Sequence, residues 1–303
     1  AGKRWRGGRP LMGNSVARFS LSPSRLARFY FHECDRYLRY AAATKEQRAA
    51  DGIPPIELDR SLVTKAILES GYAWEREVVR THLGDRAVVA DAPSTVPLHE
   101  RCHSVEGTLA ALGAAQPGQA IYQPTIHAPD SFYEKYHLDP DLVRLVDCRP
   151  DLVMVRQSPS GVELRVVDAK ASSEMKLAHR IQTSLYTLLL SHAVEAAGLA
   201  TTHTTARIGG VWLFGHAEPE WFELARIAPQ LETFLAHELT PLLEASAANA
   251  FWHLNFRCEW CDYYGHCRDE AEATDSVSRV PYLTSFGKRH LRDVAGVATV
   301  ADL

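Results

Sequence analysis

No stretch of this chain is apolar over the roughly 18–20 residues that a bilayer-spanning helix requires. Its arginine-rich start also lacks the apolar core of a signal peptide. No membrane partner is therefore expected, and the expected location is cytoplasmic. There is no P-loop, so an ATP-driven activity would have to come from elsewhere. No segment repeats. There is no general excess of positive charge: 33 Lys and Arg against 37 Asp and Glu give −4. That argues against a protein that coats nucleic acid indiscriminately. Cysteine is sparse, six in 303 residues. With nothing to indicate secretion, a disulfide framework is the weaker reading.

The chain has the 46% hydrophobic and 23% charged content of a soluble globular protein. Its length suits one large domain or two ordinary ones. The charge is uneven. Residues 1–40 hold nine Lys or Arg but only Glu33 and Asp35, a local +7. A basic entry beside an acidic site suits a phosphodiester substrate. A plain solvated tail is the alternative for residues 1–10.

Ser22-Pro23 is a helix start, a Ser cap followed by Pro, and the pattern predicts a helix over 23–43. A polar loop at 44–58 and a helix from 58 or 59 to 82, with a possible break at Gly71, follow. Residues 88–90, 120–123 and 125–126 read as short strands, 104–112 as a helix and 139–141 as a turn. The next section is clearer: strands at 151–156 and 162–169 around a turn at 158–161, then a helix from 174 to Gly198. Strands at 208–214 and 221–227 and an amphipathic helix over 229–248 complete the body. Helices flanking a few strands predict an α/β domain.

The organising stretch is Val166-Val167-Asp168-Ala169-Lys170. On a strand, side chains alternate, so Asp168 and Lys170 share a face. Pro150-Asp151 opens the preceding apolar run, and a hairpin would set Asp151 beside Asp168. Hydrolysing a phosphodiester needs carboxylates converging on a hard divalent cation, which polarises the phosphate and activates water. A lysine nearby stabilises developing charge. Glu75 offers a further carboxylate from the upstream helix. Gln182 and Tyr186 stand at i and i+4 on one helix face, with His179 one turn before. The bland reading is a surface ion pair beside a polar helix edge.

Pro150-Asp151, Asp168-Ala169-Lys170 and Gln182-x-x-x-Tyr186 resemble the PD-(D/E)XK nucleases, in particular the RecB-like branch with its Gln-x-x-x-Tyr motif. Where that family often has His in a Gly-x-x-x-His motif, this chain has Glu75. The resemblance covers about residues 20–270. It implies a restriction-endonuclease-like core, with Glu75, Asp151, Asp168 and the Ala169 carbonyl on Mg or Mn and Lys170 catalytic.

Cys258-x-x-Cys261-x-x-x-x-x-Cys267 supplies three thiols, with Cys34 the distant fourth candidate. Four thiolates suit zinc or an iron–sulfur cluster, and spacing does not choose between them. One N-terminal and three C-terminal cysteines resemble the iron–sulfur subgroup of AddB and CRISPR-adaptation nucleases, which implies a 4Fe–4S cluster with zinc second. Such a site would clip the first helix to the end of the domain. The aromatics Trp252, Phe256, Trp260, Tyr263 and Tyr264 are expected to shield it. Base stacking is the alternative role.

The expected organisation is a basic irregular segment at 1–19, the nuclease domain at 20–275 and a tail at 276–303. The tail pattern Leu291…Val294…Gly296-Val297…Val300…Leu303 fits half a helix–hairpin–helix module or a plain helix. The ending at Asp302-Leu303 fits a fragment of a larger protein, and the Ala1 start fits a processed or recombinant end. The expected function is a metal-dependent nuclease acting on single-stranded or end-exposed DNA in repair or defence. A helicase or integrase is the expected partner, separate or fused. A non-catalytic DNA-binding or scaffolding module is the alternative.

Overall fold

A computed structural model describes residues 18–56, 62–159 and 161–303. The strands are β1 (Phe19–Leu21), β2 (Ala87–Val88), β3 (Ala120–Tyr122), β4 (Val143–Leu145), β5 (Leu152–Ser158), β6 (Gly161–Lys170), β7 (His203–Thr205), β8 (Ile208–Leu213) and β9 (Glu220–Glu223). The helices begin with α1 (Pro23–His32), α2 (Asp35–Ala42), α3 (Lys45–Ala50) and α4 (Leu62–Glu77). They continue with α5 (Val105–Ala114), α6 (Asp130–Lys135), α7 (Leu177–Ala196), α8 (Ala228–Thr233), α9 (Leu239–Glu244), α10 (Tyr264–Ala273) and α11 (Ser285–His290).

β5 and β6 form the anticipated hairpin, with Leu152 opposite Val167. β6 is the organising strand. One edge pairs β5 antiparallel, while the other pairs β7 and then β8 in parallel. The mixed sheet runs β2-β3-β5-β6-β8-β9, and a separate parallel pair joins β1 to β4. Both faces of the main sheet are covered, which is why β5 opens as a continuous apolar run rather than an alternating one. On one face Val153, Val155, Leu164 and Val166 pack with Leu185, Leu189 and Leu190 of α7. On the other, Leu152, Val167, Ala169 and Trp212 pack with Trp74 and Val78 of the α4 region. Gly209 and Gly210 let β9 lie close. A Cβ at Gly209 would fall 2.7 Å from the Phe222 ring, and one at Gly210 would fall 2.9 Å from Trp221.

The expected α/β class is present, as a mixed sheet flanked by helices in keeping with a restriction-endonuclease-like fold. Several boundaries differ. The helix expected over 23–43 is two helices. Glu33 adopts a left-handed conformation (φ 52°) and its N–H bonds Phe29 O, closing α1. Cys34 then runs extended before α2. The polar loop at 44–58 contains α3, started by a capping box between Thr44 and Gln47. The start expected for the second helix, at 58 or 59, lies outside the described residues. The helix passes Gly71 unbroken and continues as a π-helical stretch, Val78–Leu83. Residues 125–126 contribute an isolated bridge, Ile126 to Cys148, rather than a strand. The last long helix changes winding at Phe234–Glu238 between α8 and α9. Residues 1–17, which carry most of the basic segment, lie outside the described residues.

The tail docks on the body. Arg289 reaches Asp35 at 2.9 Å, Lys288 donates to Trp252 O at 2.8 Å, and Val300 N–H bonds Asp275 O at 2.7 Å. α11 runs into a wide turn, Leu291–Ala295, that ends at left-handed Gly296.

Candidate active site

Strand alternation and hairpin register build the site. Val167 faces the α4 layer, so Asp168 and Lys170 turn to the α7 face. Leu152 pairs Val167, so Asp151, one residue earlier, comes up beside Asp168. Asp151 Oδ2 accepts the Ala169 N–H at 2.7 Å, which pins the loop end to the strand. Lys170 Nζ lies 2.6 Å from Asp168 Oδ2. This is a close ion pair without a directed hydrogen bond, because Oδ2 of the buried Asp168 has no hydrogen-bond partner among the described residues.

Glu75 arrives from α4. The neighbouring Trp74 is 1% exposed and donates its indole N–H to Trp212 O at 2.9 Å, which anchors this turn of the helix to β8. Tyr122 donates to Glu75 Oε2 at 3.0 Å and Gln123 Nε2 donates at 3.3 Å. Gln123 holds a left-handed φ of 45° and its N–H bonds Asp151 O at 2.8 Å. It therefore ties two carboxylate-bearing segments together from the next strand. Sequence patterns do not assign this role to Tyr122 and Gln123. Their only signal is a polar pair ending the short strand at 120–123.

Gln182 donates to Tyr186 OH at 2.9 Å on α7, and Tyr186 is buried against the carboxylate side of the sheet. His179, one turn before, has its pKa pushed down to about 4 by burial and by the charge on Lys170. It is therefore a neutral neighbour at physiological pH.

The electrostatics are those of crowded anions. Burial first, then the charges of Asp168 and Glu75, hold the Asp151 carboxyl well above the ordinary range, against the opposing pull of Lys170. Burial also raises Glu75, opposed by the Tyr122 and Gln123 hydrogen bonds and by Lys170. Burial disfavours the Lys170 cation, but Asp168 and Asp151 outweigh it and raise its pKa. One lysine thus balances three acidic side chains.

A family model for the PD-(D/E)XK nuclease superfamily matches residues 20–268. The chain belongs to the PD-(D/E)XK nuclease superfamily. Members of this superfamily are nucleases, and they generally use Mg or Mn. A search of curated proteins gave no match. Among the described residues no helix is long and apolar enough to cross a membrane.

Carboxylate side chains and a strand-end carbonyl are oxygen donors of the kind that suits a hard divalent cation. Even so, among the described residues no group of three or more His, Cys, Asp or Glu is disposed as a finished metal site. The physical reason at this site is visible. Lys170 occupies Asp168, and the Ala169 N–H occupies Asp151.

The same applies to the cysteines. The fold brings Cys34, Cys258, Cys261 and Cys267 around one cavity with His32, Tyr37 and Trp252. The break at Glu33 delivers Cys34 there. Cys258 Sγ, however, is turned to His253 O at 3.6 Å, and among the described residues the four thiols do not form a finished metal-binding group. Of the expected shielding aromatics, Tyr263 is buried, whereas Phe256 and Trp260 stand 77% and 71% exposed.

Proposed function

We propose that this chain is a RecB-like, Mg- or Mn-dependent deoxyribonuclease that hydrolyses single-stranded or end-exposed DNA in repair or defence. A single observation carries this reading: Asp151, Asp168 and Glu75 converge with Lys170 at the end of the central strand. In this reading Glu75, Asp151, Asp168 and the Ala169 carbonyl hold the cation. When bound, the cation supplies Lewis acidity and lowers the pKa of water.

The chain's own residues do the rest. Lys170, released from Asp168, presents its ammonium to charge growing on the phosphate oxygens. Tyr122 and Gln123 fix Glu75, and the Ala169 N–H fixes Asp151, so the carboxylates do not reorganise during reaction. Gln182 and Tyr186 form a polar edge on α7 that positions Lys170 and the substrate backbone. We extend the proposal to a 4Fe–4S cluster on Cys34, Cys258, Cys261 and Cys267, with zinc as the competing occupant. A helicase or integrase would deliver the DNA.

The test is cleavage of labelled oligonucleotides in Mn²⁺ against an EDTA control. Metal-dependent cleavage is expected. Binding without cleavage by the intact chain would replace this reading with that of a DNA-binding or scaffolding module.

A stability experiment probes the same carboxylates without substrate. Asp151→Asn keeps an acceptor for the Ala169 N–H and offers a donor to Asp168, while deleting a crowded anion. The folded state raises the pKa of Asp151, so it favours the protonated form. Folding stability associated with this group is full below the unfolded carboxyl pKa and is lost as pH rises through the folded pKa. In EDTA, Asp151→Asn is therefore expected to melt a few degrees above the parent at pH 8, at ~2–4 °C per kcal/mol for domains of this size. The gap should narrow as pH falls towards about 4. Differential scanning fluorimetry across this range checks it, and a variant that melts lower at pH 8 would contradict the anion-crowding account.

A further inference from the structure

A groove of about 890 Å³ opens between α1, the first turns of α4 and the segment after β4. Its cations are Arg25 and Arg28 on α1 and Lys65 on α4. One carboxylate, Asp262, faces them and pairs with Arg28 at 3.0 Å. Arg25 donates to Ser20 O at 3.0 Å and has no ion-pair partner among the described residues. Lys65 is exposed, with neither a hydrogen bond nor an ion pair among the described residues. Among the described residues that line it, three cations against one anion make the groove positive, in a chain whose net charge is −4.

Two walls of the groove lead into the carboxylate site. Lys65, Leu68, Tyr72 and Glu75 recur at spacings of three and four along α4, so they form one stripe of the helix. At 1.5 Å rise per residue, the groove and Glu75 stand about 15 Å apart on that stripe. In the other wall, Val146 begins the short segment that ends at Asp151. The stripe between the ends is apolar and aromatic. Leu68 is 53% exposed, and Tyr72 stacks on His99 with ring centroids 4.0 Å apart and planes 16° apart. Cations for phosphates followed by apolar and aromatic surface suit a strand whose bases are unpaired, because a duplex keeps its base faces stacked inside.

The geometry points to a track for single-stranded DNA, in which the Arg25–Arg28–Lys65 groove grips backbone phosphates and the α4 stripe conducts the strand to Glu75 and Asp151. The inference rests on the nuclease reading and adds where the strand is held and that it enters unpaired.

The experiment separates the two by measuring binding in EDTA and cleavage in Mn²⁺. The probes are labelled oligothymidylates of about 16 and about 4 nucleotides and a duplex matched to the longer one. Lys65→Glu and Arg25→Ala are expected to weaken binding of the longer strand about tenfold and to reduce its log–log salt slope by about 0.7 for each phosphate no longer neutralised. Cleavage of the short strand, which does not reach the groove, is expected to be unchanged. Because Lys65 has no partner among the described residues, Lys65→Glu should retain the parental circular dichroism spectrum. Unaltered affinity and salt slope in both variants would overturn the track. Equal weakening for the duplex would overturn its assignment to a single strand. Loss of strand binding in the variants of a chain that cleaves nothing would support the track and remove the nuclease reading.

Discussion

Lys170→Ala and Asp168→Ala are each expected to lower DNA cleavage by at least about 10²–10³-fold, the scale for loss of one preorganised charge aimed at a transition state. Lys170 is a cation set against three acidic side chains, and its Nζ touches Asp168 at 2.6 Å. Removing the ammonium deletes the group closest to where negative charge would grow. It also leaves Asp151 and Asp168 buried beside each other without a counter-charge. Breaking a buried pair from one side costs about 3–5 kcal/mol when the orphan stays ionised. Part of any activity loss could therefore be unfolding. Two measurements separate the effects. Asp168→Asn retains size and polarity while removing the anion, and it is expected to be as inactive as Asp168→Ala yet better folded. Strand affinity in EDTA should change little in Lys170→Ala, because the cations argued to grip the backbone lie on α1 and at the start of α4. Full cleavage by folded Lys170→Ala and Asp168→Asn would remove the catalytic assignment.

Why some of this site was legible in the sequence and some was not follows from the range of the forces involved. The shared face of Asp168 and Lys170 follows from strand periodicity, which is local. Asp151 followed from a short hairpin, where register is nearly forced by the turn. Glu75 sits on a helix that meets the strand only through long-range packing. Its residue type marks it as a candidate, but its placement depends on Trp74 reaching Trp212 O. Tyr122 and Gln123 were harder still. Their role exists only because β3 pairs with β5, a contact no local pattern encodes. The same limit applies to the fold. β1 and β4 are three residues each and carry no period to read. The split between α1 and α2 turns on the backbone of Glu33 alone, in a run whose apolar spacing continues through it. That split matters for function, since it is what carries Cys34 to the other three cysteines.

Cys34→Ala is expected to lower the melting temperature of the protein as isolated without reducing agents or chelators by on the order of 10 °C, given the several kcal/mol that structural metal sites contribute. The four thiols line a single cavity, yet one lies at the start of α2 and three at the end of the domain. A metal or cluster bridging them would close a loop spanning most of the chain, and the entropy removed from the unfolded state grows with that loop. The surroundings disfavour free thiolates. Burial pushes Cys34 and Cys261 up to about 12 and raises Cys258 and Cys267, while Arg36 opposes the rise at Cys267 by charge and hydrogen bond. Thiols so reluctant to ionise alone become anionic only with a cation among them, so a filled site and an empty one should differ sharply in stability. Iron by elemental analysis with broad visible absorbance would identify the cluster, and zinc without iron would identify its competitor. Absence of both metals, together with a parental melting temperature for Cys34→Ala, would show that the four cysteines are buried thiols and that the domain is held by its apolar layers alone.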